Sequence, residues 1–137
     1  MDDPLTNARR LSPATVLVVD DEPIITATVS DHLRDIGLKV LTAHDGEEAI
    51  KILQGNEPVH IVFTDVLMPR LDGFELLRWI RTNRPRTKVL LASGVENVKA
   101  ASGYVGSPRW LLFKPYGLDD VESRIRDLLA ELDDRPQ

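Results

Sequence analysis

The stretch IVFTDVLMPRLDG, residues 61–73, sets the terms for the whole chain. Ile61, Val62 and Phe63 form an apolar run, Thr64 follows, and a single carboxylate, Asp65, ends it. A short all-apolar run of this kind fits a strand covered on both faces, as in a parallel sheet. A proline-bearing loop comes next. Gly73 then opens a helical pattern marked by Phe74, Leu77 and Ile80. A charge at the tip of a buried strand costs free energy unless a partner offsets it.

The same unit recurs on either side. VLVV (16–19) is an apolar run ending in Asp20, Asp21, Glu22 and Pro23. Ile25, Val29, Leu33 and Ile36 then recur at helical spacing, and Gly37 stands where a helix C-cap is expected. LKVLT (38–42) reads as a second strand. Asp45-Gly46 leads into a short amphipathic helix with Ala49, Ile52 and Leu53, ended by Gly55 and Asn56. HIVFT (60–64), KVLLA (88–92) and WLLF (110–113) supply strands three to five. A weak helix around Glu96–Ala101 and a Gly/Ser/Pro-rich loop lie between the last two. Leu118, Val121, Ile125, Leu128 and Leu132 give the final helix the clearest pattern. Five repetitions of strand then helix predict an α/β fold, a doubly wound five-stranded parallel sheet with five helices. The flavodoxin-like strand order 2-1-3-4-5 suits this count, and right-handed crossovers leave few alternatives.

At 137 residues the chain reads as one domain: a flexible lead-in over 1–14, the folded unit over 15–133, and a polar tail over 134–137. The net charge of −5 does not favour nucleic acid, which needs a basic face. The densest basic run, Arg78, Arg81, Arg84, Arg86 and Lys88, is broken by Pro85 and reads as a solvated helix end and flank. With no cysteine there is no disulfide, thiolate chemistry or Cys-zinc site. The polar N-terminus lacks the apolar run of a signal peptide, and no segment approaches the ~20 apolar residues of a membrane span. A soluble cytoplasmic protein is the expectation. His32, His44 and His60 have no ligand spacing and read as surface or packing residues, and Trp79 reads as packing.

In an open sheet of this class, ligands bind outside the carboxyl ends of the strands. Strand one delivers Asp20 and Asp21 there, strand three Asp65, strand four Ser93-Gly94, and strand five Lys114-Pro115. Taken singly, each has a plain explanation: acids and proline at a helix start, a turn, a loop. Together, three carboxylates, a hydroxyl and an ammonium on one rim describe a socket for a hard divalent cation and a phosphoryl group. Mg²⁺ would relieve the repulsion among the acids, and Asp65 would be the nucleophile offered to a phosphodonor.

VLVVDDEP (16–23), TDVLMPRLDG (64–73), Ser93-Gly94 and FKP (113–115), in this order and spacing, resemble the receiver domain of two-component response regulators. The resemblance covers about residues 15–133. It implies that Asp65 accepts a phosphoryl group from a histidine kinase or a histidine phosphotransfer protein. It implies that Asp20, Asp21, Asp65 and the backbone carbonyl of Leu67 hold Mg²⁺. Ser93 would be the switch hydroxyl and Lys114 the ion-pairing lysine, with the peptide before Pro115 in the cis form. A signalling switch is implied, catalysing only its own phosphorylation and dephosphorylation. It would act on a downstream protein target, with neither nucleic acid nor membrane as a direct partner and a homodimer forming through the last helix. No effector region follows the last helix, so the chain is expected to act alone or to be a receiver cut from a longer protein.

Two departures from the family pattern stand out. The aromatic residue usual three positions before the lysine is replaced by Leu111, with Trp110, on the opposite strand face, no simple substitute, and Tyr104 or Tyr116 left as candidates. Leu67 and Val95, at positions that tune phosphoryl lifetime in the family, are both apolar, which suggests poor orientation of hydrolytic water. Two other classes stay open. One is an interaction domain on the same fold that is never phosphorylated, against which all five chemical positions are filled. The other is an aspartyl-nucleophile phosphatase, which needs a second acid where Leu67 stands.

Overall fold

The computed structural model describes residues 14–94 and 110–133. In chain order the elements are β1 (Thr15–Val19), α1 (Pro23–Asp35), β2 (Lys39–Ala43), α2 (Gly46–Leu53), β3 (Ile61–Asp65), α3 (Gly73–Asn83), β4 (Lys88–Ser93), β5 (Leu111–Phe113) and α4 (Leu118–Asp133). The five strands form one parallel sheet in the order β2-β1-β3-β4-β5, as the sequence predicts. Four of the five expected helices lie among the described residues. The helix expected around 96–101 lies outside them, as do Val95, Tyr104, most of the lead-in and the tail.

The sheet separates two cores, and the period-two alternation of the strands decides which residue enters which. Val16, Val18, Ile61, Phe63, Leu90 and Leu112 face one side. There they meet Val29 and Leu33 of α1 and Val121, Ile125 and Leu128 of α4. Leu17, Val19, Val62, Val89, Leu91 and Leu111 face the other side, against Ala49 and Leu53 of α2 and Leu76, Leu77 and Ile80 of α3. Both faces of every central strand are thereby dry, which is why the strands read as unbroken apolar runs.

Local chemistry fixes the helix ends. Pro23 opens α1, and Gly37, at φ 98°, ends the turn that follows it. Asp45 caps α2 by accepting from the Glu48 amide at 2.8 Å. Asp72 and Glu75 cap α3 reciprocally: Asp72 Oδ1 accepts from the Glu75 amide at 2.9 Å, and Glu75 Oε1 accepts from the Asp72 amide at 3.1 Å. The three histidines take structural partners. His32 Nε2 lies 2.9 Å from Glu122 Oε1 across α1 and α4, and His60 Nδ1 accepts from the Thr15 amide at 3.0 Å. His44 sits beside Glu48 at 3.7 Å. Trp79 packs against the α2/α3 core.

Gly73 is where the helix start meets the tip of β3. A Cβ on this residue would stand 2.8 Å from the Val66 Cα and closer still to the Asp65 carbonyl oxygen. Alanine at a helix start would otherwise be neutral or mildly stabilising. We therefore expect Gly73→Ala to lower stability by about 2 kcal/mol, the usual cost of overpacking. Urea unfolding measures it, and a variant as stable as the parent would show that β3 and α3 can move apart freely.

Candidate functional site

Four strand ends build the site, and the register brings their residues to one level. Val19 pairs with Thr64, so Asp20 and Asp65 emerge side by side from β1 and β3. Asp65 pairs with Ala92, placing Ser93 one step further along β4. Ser93 pairs with Phe113, and Lys114 comes next. The ladders continue past the last paired residues. The amides of Asp20, Val66 and Lys114 donate to the carbonyls of Ala43, Ala92 and Ser93 at 3.2, 3.1 and 2.9 Å. The rim is thus held by main-chain bonds of the sheet, and side-chain placement follows from strand order.

Carboxylate oxygens of Asp20, Asp21 and Asp65 lie within 4.8 Å of one another. Asp20 and Asp65 are buried, at 4% and 7% exposure, while Asp21 is exposed. Lys114 Nζ contacts Asp65 Oδ2 at 2.8 Å, an ion pair in which the acid is buried and the amine partly so. Asp20 Oδ1 accepts from the Glu22 amide at 2.9 Å. Ser93 is buried, and its hydroxyl donates to the Gly94 carbonyl at 3.0 Å. The sequence-predicted residues Asp20, Asp21, Asp65, Ser93 and Lys114 therefore share one rim. Leu67 stands on the adjoining loop with its side chain exposed.

The electrostatics of the cluster are unbalanced. Burial pushes the Asp20 carboxyl from the ordinary 3.8 up to about 6, and the charges of Asp65 and Asp21 add to the rise. The Glu22 amide and Lys114 act against it. One ammonium faces three acids. A compact set of hard oxygen donors with surplus negative charge and one acid poised near neutrality fits a divalent cation such as Mg²⁺.

Three features were not legible in sequence. Tyr116 packs edge-on against Phe63, centroids 5.6 Å apart at 69°, on the α1/α4 side of the sheet. Burial, then the charges of Asp20, Asp65 and Glu22, push its phenol up to about 12, so its ring edge lies in the field of the acidic cluster. Leu111 is fully buried in the opposite core, and Trp110 packs on the same side as Tyr116. A groove of about 660 Å³ opens beside Lys114 and is lined by Ile24, Ile25, Val29, Tyr116 and Leu118; Ile24 is 80% exposed. The third feature is a contact between Arg70 and Asp45 on the loop after β3. A tyrosine two residues past a strand-end lysine and an isoleucine after Pro23 are the only signals the sequence offers for the first two.

A family model described as the response regulator receiver domain matches residues 16–126. The chain is 36% identical over 118 residues to the probable transcriptional regulatory protein TcrX of Mycobacterium tuberculosis, covering 85% of this chain and 50% of that one. It spans about half the length of the curated relatives it matches. Among solved structures, a response regulator receiver domain protein from Clostridium thermocellum superposes with a TM-score of 0.77 at 28% identity, covering 86% of this chain and 95% of that one. The chemotaxis response regulator CheY4 of Vibrio cholerae gives 0.75 at 29% identity, covering 85% and 99%.

The raised Asp20 carboxyl makes a signed prediction. Its folded state binds a proton more tightly than the unfolded chain. The resulting stabilisation is fully present below pH 3.8 and is lost as the pH rises through about 6. At pH 7.5 without metal, Asp20→Asn should therefore be more stable than the parent, by about 1–2 kcal/mol. That advantage should vanish near pH 4. Thermal melts across this range check it, and an advantage independent of pH would contradict the assignment.

Proposed function

The chain belongs to the response regulator receiver domain family, and on that premise we propose that it is a phospho-accepting switch built on Asp65. The unit spans residues 15–133. The phosphodonor is a histidine kinase or a histidine phosphotransfer protein, and the output is a changed surface read by a downstream protein. A homodimer through the outer side of α4 and a cytoplasmic setting belong to the same reading. The observation that carries it is the buried Asp65 carboxylate, set beside Asp20 and Asp21 and paired with Lys114 at 2.8 Å.

A carboxylate oxygen of Asp65 forms the new P–O bond as the P–N bond to the donor imidazole breaks. The imidazole nitrogen leaves with the bonding pair and takes a proton from water. Before transfer, Lys114 engages Asp65 at Oδ2. Asp20, Asp21, Asp65 and the Leu67 carbonyl are the donors for Mg²⁺, which when bound neutralises charge and polarises the phosphoryl oxygens. Lys114 stands on the same rim as the three oxygens the phosphoryl group would add. The Ser93 hydroxyl must leave the Gly94 carbonyl to reach those oxygens. Phosphate thereby biases a two-state equilibrium through contacts made in only one state. The phosphatase alternative lacks its second acid, since an exposed leucine stands two residues past Asp65.

Incubation with acetyl phosphate and Mg²⁺ should add one phosphoryl group by intact mass, and Asp65→Asn or a chelator should abolish it. Continuous turnover of phosphate esters, or an adduct that survives Asp65→Asn, would overturn the reading. Leu67 makes the second prediction. An apolar side chain there positions hydrolytic water poorly, so Leu67→Asn should lose its phosphoryl label several-fold faster than the parent. A parent that decays faster than the variant would remove this role.

A further inference from the structure

The loop over residues 66–72 joins β3 to α3 and carries Leu67. Its two ends are tied together, with the Gly73 amide donating to the Val66 carbonyl at 2.8 Å. Met68 and Leu71 turn inward onto the α2/α3 core, and Leu67 projects outward. Between them Arg70 adopts φ 70°, the left-handed region that an arginine seldom occupies. Such a conformation persists only where surrounding contacts impose it.

Those contacts come from the start of α2. Arg70 Nη1 donates to Asp45 Oδ2 at 3.1 Å. The other oxygen, Oδ1, is the N-cap acceptor for the Glu48 amide at 2.8 Å. Asp45 is therefore held in place by the helix it caps, and it offers its remaining oxygen to the loop. The next residue, Gly46, is pressed against Leu71, where a Cβ would stand 3.0 Å from the Leu71 Cβ. The loop is seated on the tip of α2 at both points.

We propose that Asp45 and Arg70 form a latch that positions the Leu67 carbonyl for the divalent cation. The latch rests on the reading of the site given above. It makes Asp45 and Arg70 positioning residues that never touch the phosphoryl group. The ion pair is mostly solvent-facing at Arg70, 66% exposed, so it adds little to global stability. Its effect falls on the loop, where it offsets the unfavourable Arg70 backbone. Without it, the segment between Val66 and Gly73 samples conformations in which the carbonyl leaves the donor set.

Mg²⁺ binding to the parent, Arg70→Gly, Arg70→Lys, Asp45→Asn and the double variant, measured by calorimetry with a parallel thermal melt, tests the latch. Glycine accepts the left-handed backbone, and asparagine keeps the cap oxygen, so both single variants should melt within about 3 °C of the parent. Each should weaken Mg²⁺ binding by about threefold to tenfold, below the usual range for buried supporting residues. The double variant should be no worse than either single, and Arg70→Lys should recover part of the loss. The direction is diagnostic. Removing a nearby positive charge would by itself tighten Mg²⁺ binding, so long-range electrostatics predicts opposite signs for Arg70→Gly and Asp45→Asn, whereas the latch predicts weakening for both. Parent-like or tighter binding by Arg70→Gly, or fully additive losses in the double variant, would overturn the latch alone. A parent that binds no Mg²⁺ would overturn the site reading with it.

Discussion

Like-charge repulsion at the rim of the sheet is the constraint around which the molecule is arranged. Two acids at the end of β1 and one at the end of β3 are brought within 4.8 Å because the strands are neighbours in exact register. Water would separate such charges cheaply; a parallel sheet with both faces covered cannot. Lys114 offsets one carboxylate at 2.8 Å, and burial, with the charges of Asp65 and Asp21 adding to it, pushes the Asp20 carboxyl up to about 6. A site in this condition has a built-in affinity for positive charge. On the proposed reading, a bound cation would relieve that repulsion and let a phosphoryl group be held among the acids.

The rest of the architecture keeps that conflict from relaxing. Amide bonds extend the ladder past β1, β3 and β5, so the acids and the lysine cannot drift apart without breaking sheet hydrogen bonds. Gly73 lets α3 start against the backbone of Asp65 and Val66. The loop between them is seated on the capped end of α2. At the β4 end, Ser93 gives its hydroxyl to the adjacent Gly94 carbonyl, a local bond that could be exchanged for another acceptor. Backbone-held acids beside a locally bonded hydroxyl are what the proposed switch by covalent charge requires.

Leu111 takes no part in the chemistry of the rim. It is fully enclosed among aliphatic neighbours in the α2/α3 core and has no polar atom to report on the rim. Among the described residues, Tyr116 is the aromatic whose phenol the charges of the acids raise, on the other side of the sheet and beside the groove that Ile24 and Lys114 also line. The Tyr116 phenol therefore belongs to the α1/α4 layer, and the side chain three residues before the lysine contributes packing.

By itself the sequence determined the order of elements, the sheet class and the residues that crowd its carboxyl edge. Buried parallel strands must be unbroken apolar runs, and an ionisable residue at the end of such a run is visible against them: VLVV before Asp20 and IVFT before Asp65 are legible for that reason. Capping was legible too, because Asp72 and Glu75 stand three residues apart. The tertiary structure alone decided that Asp45 and Arg70 meet, since they lie 25 residues apart and both are ordinary in loops. It alone assigned Tyr116 to the field of the acids and opened a groove beside exposed Ile24. These features arise where two segments approach in space, and their strength depends on distance, burial and the field of neighbouring charges, none of which a residue carries in its identity.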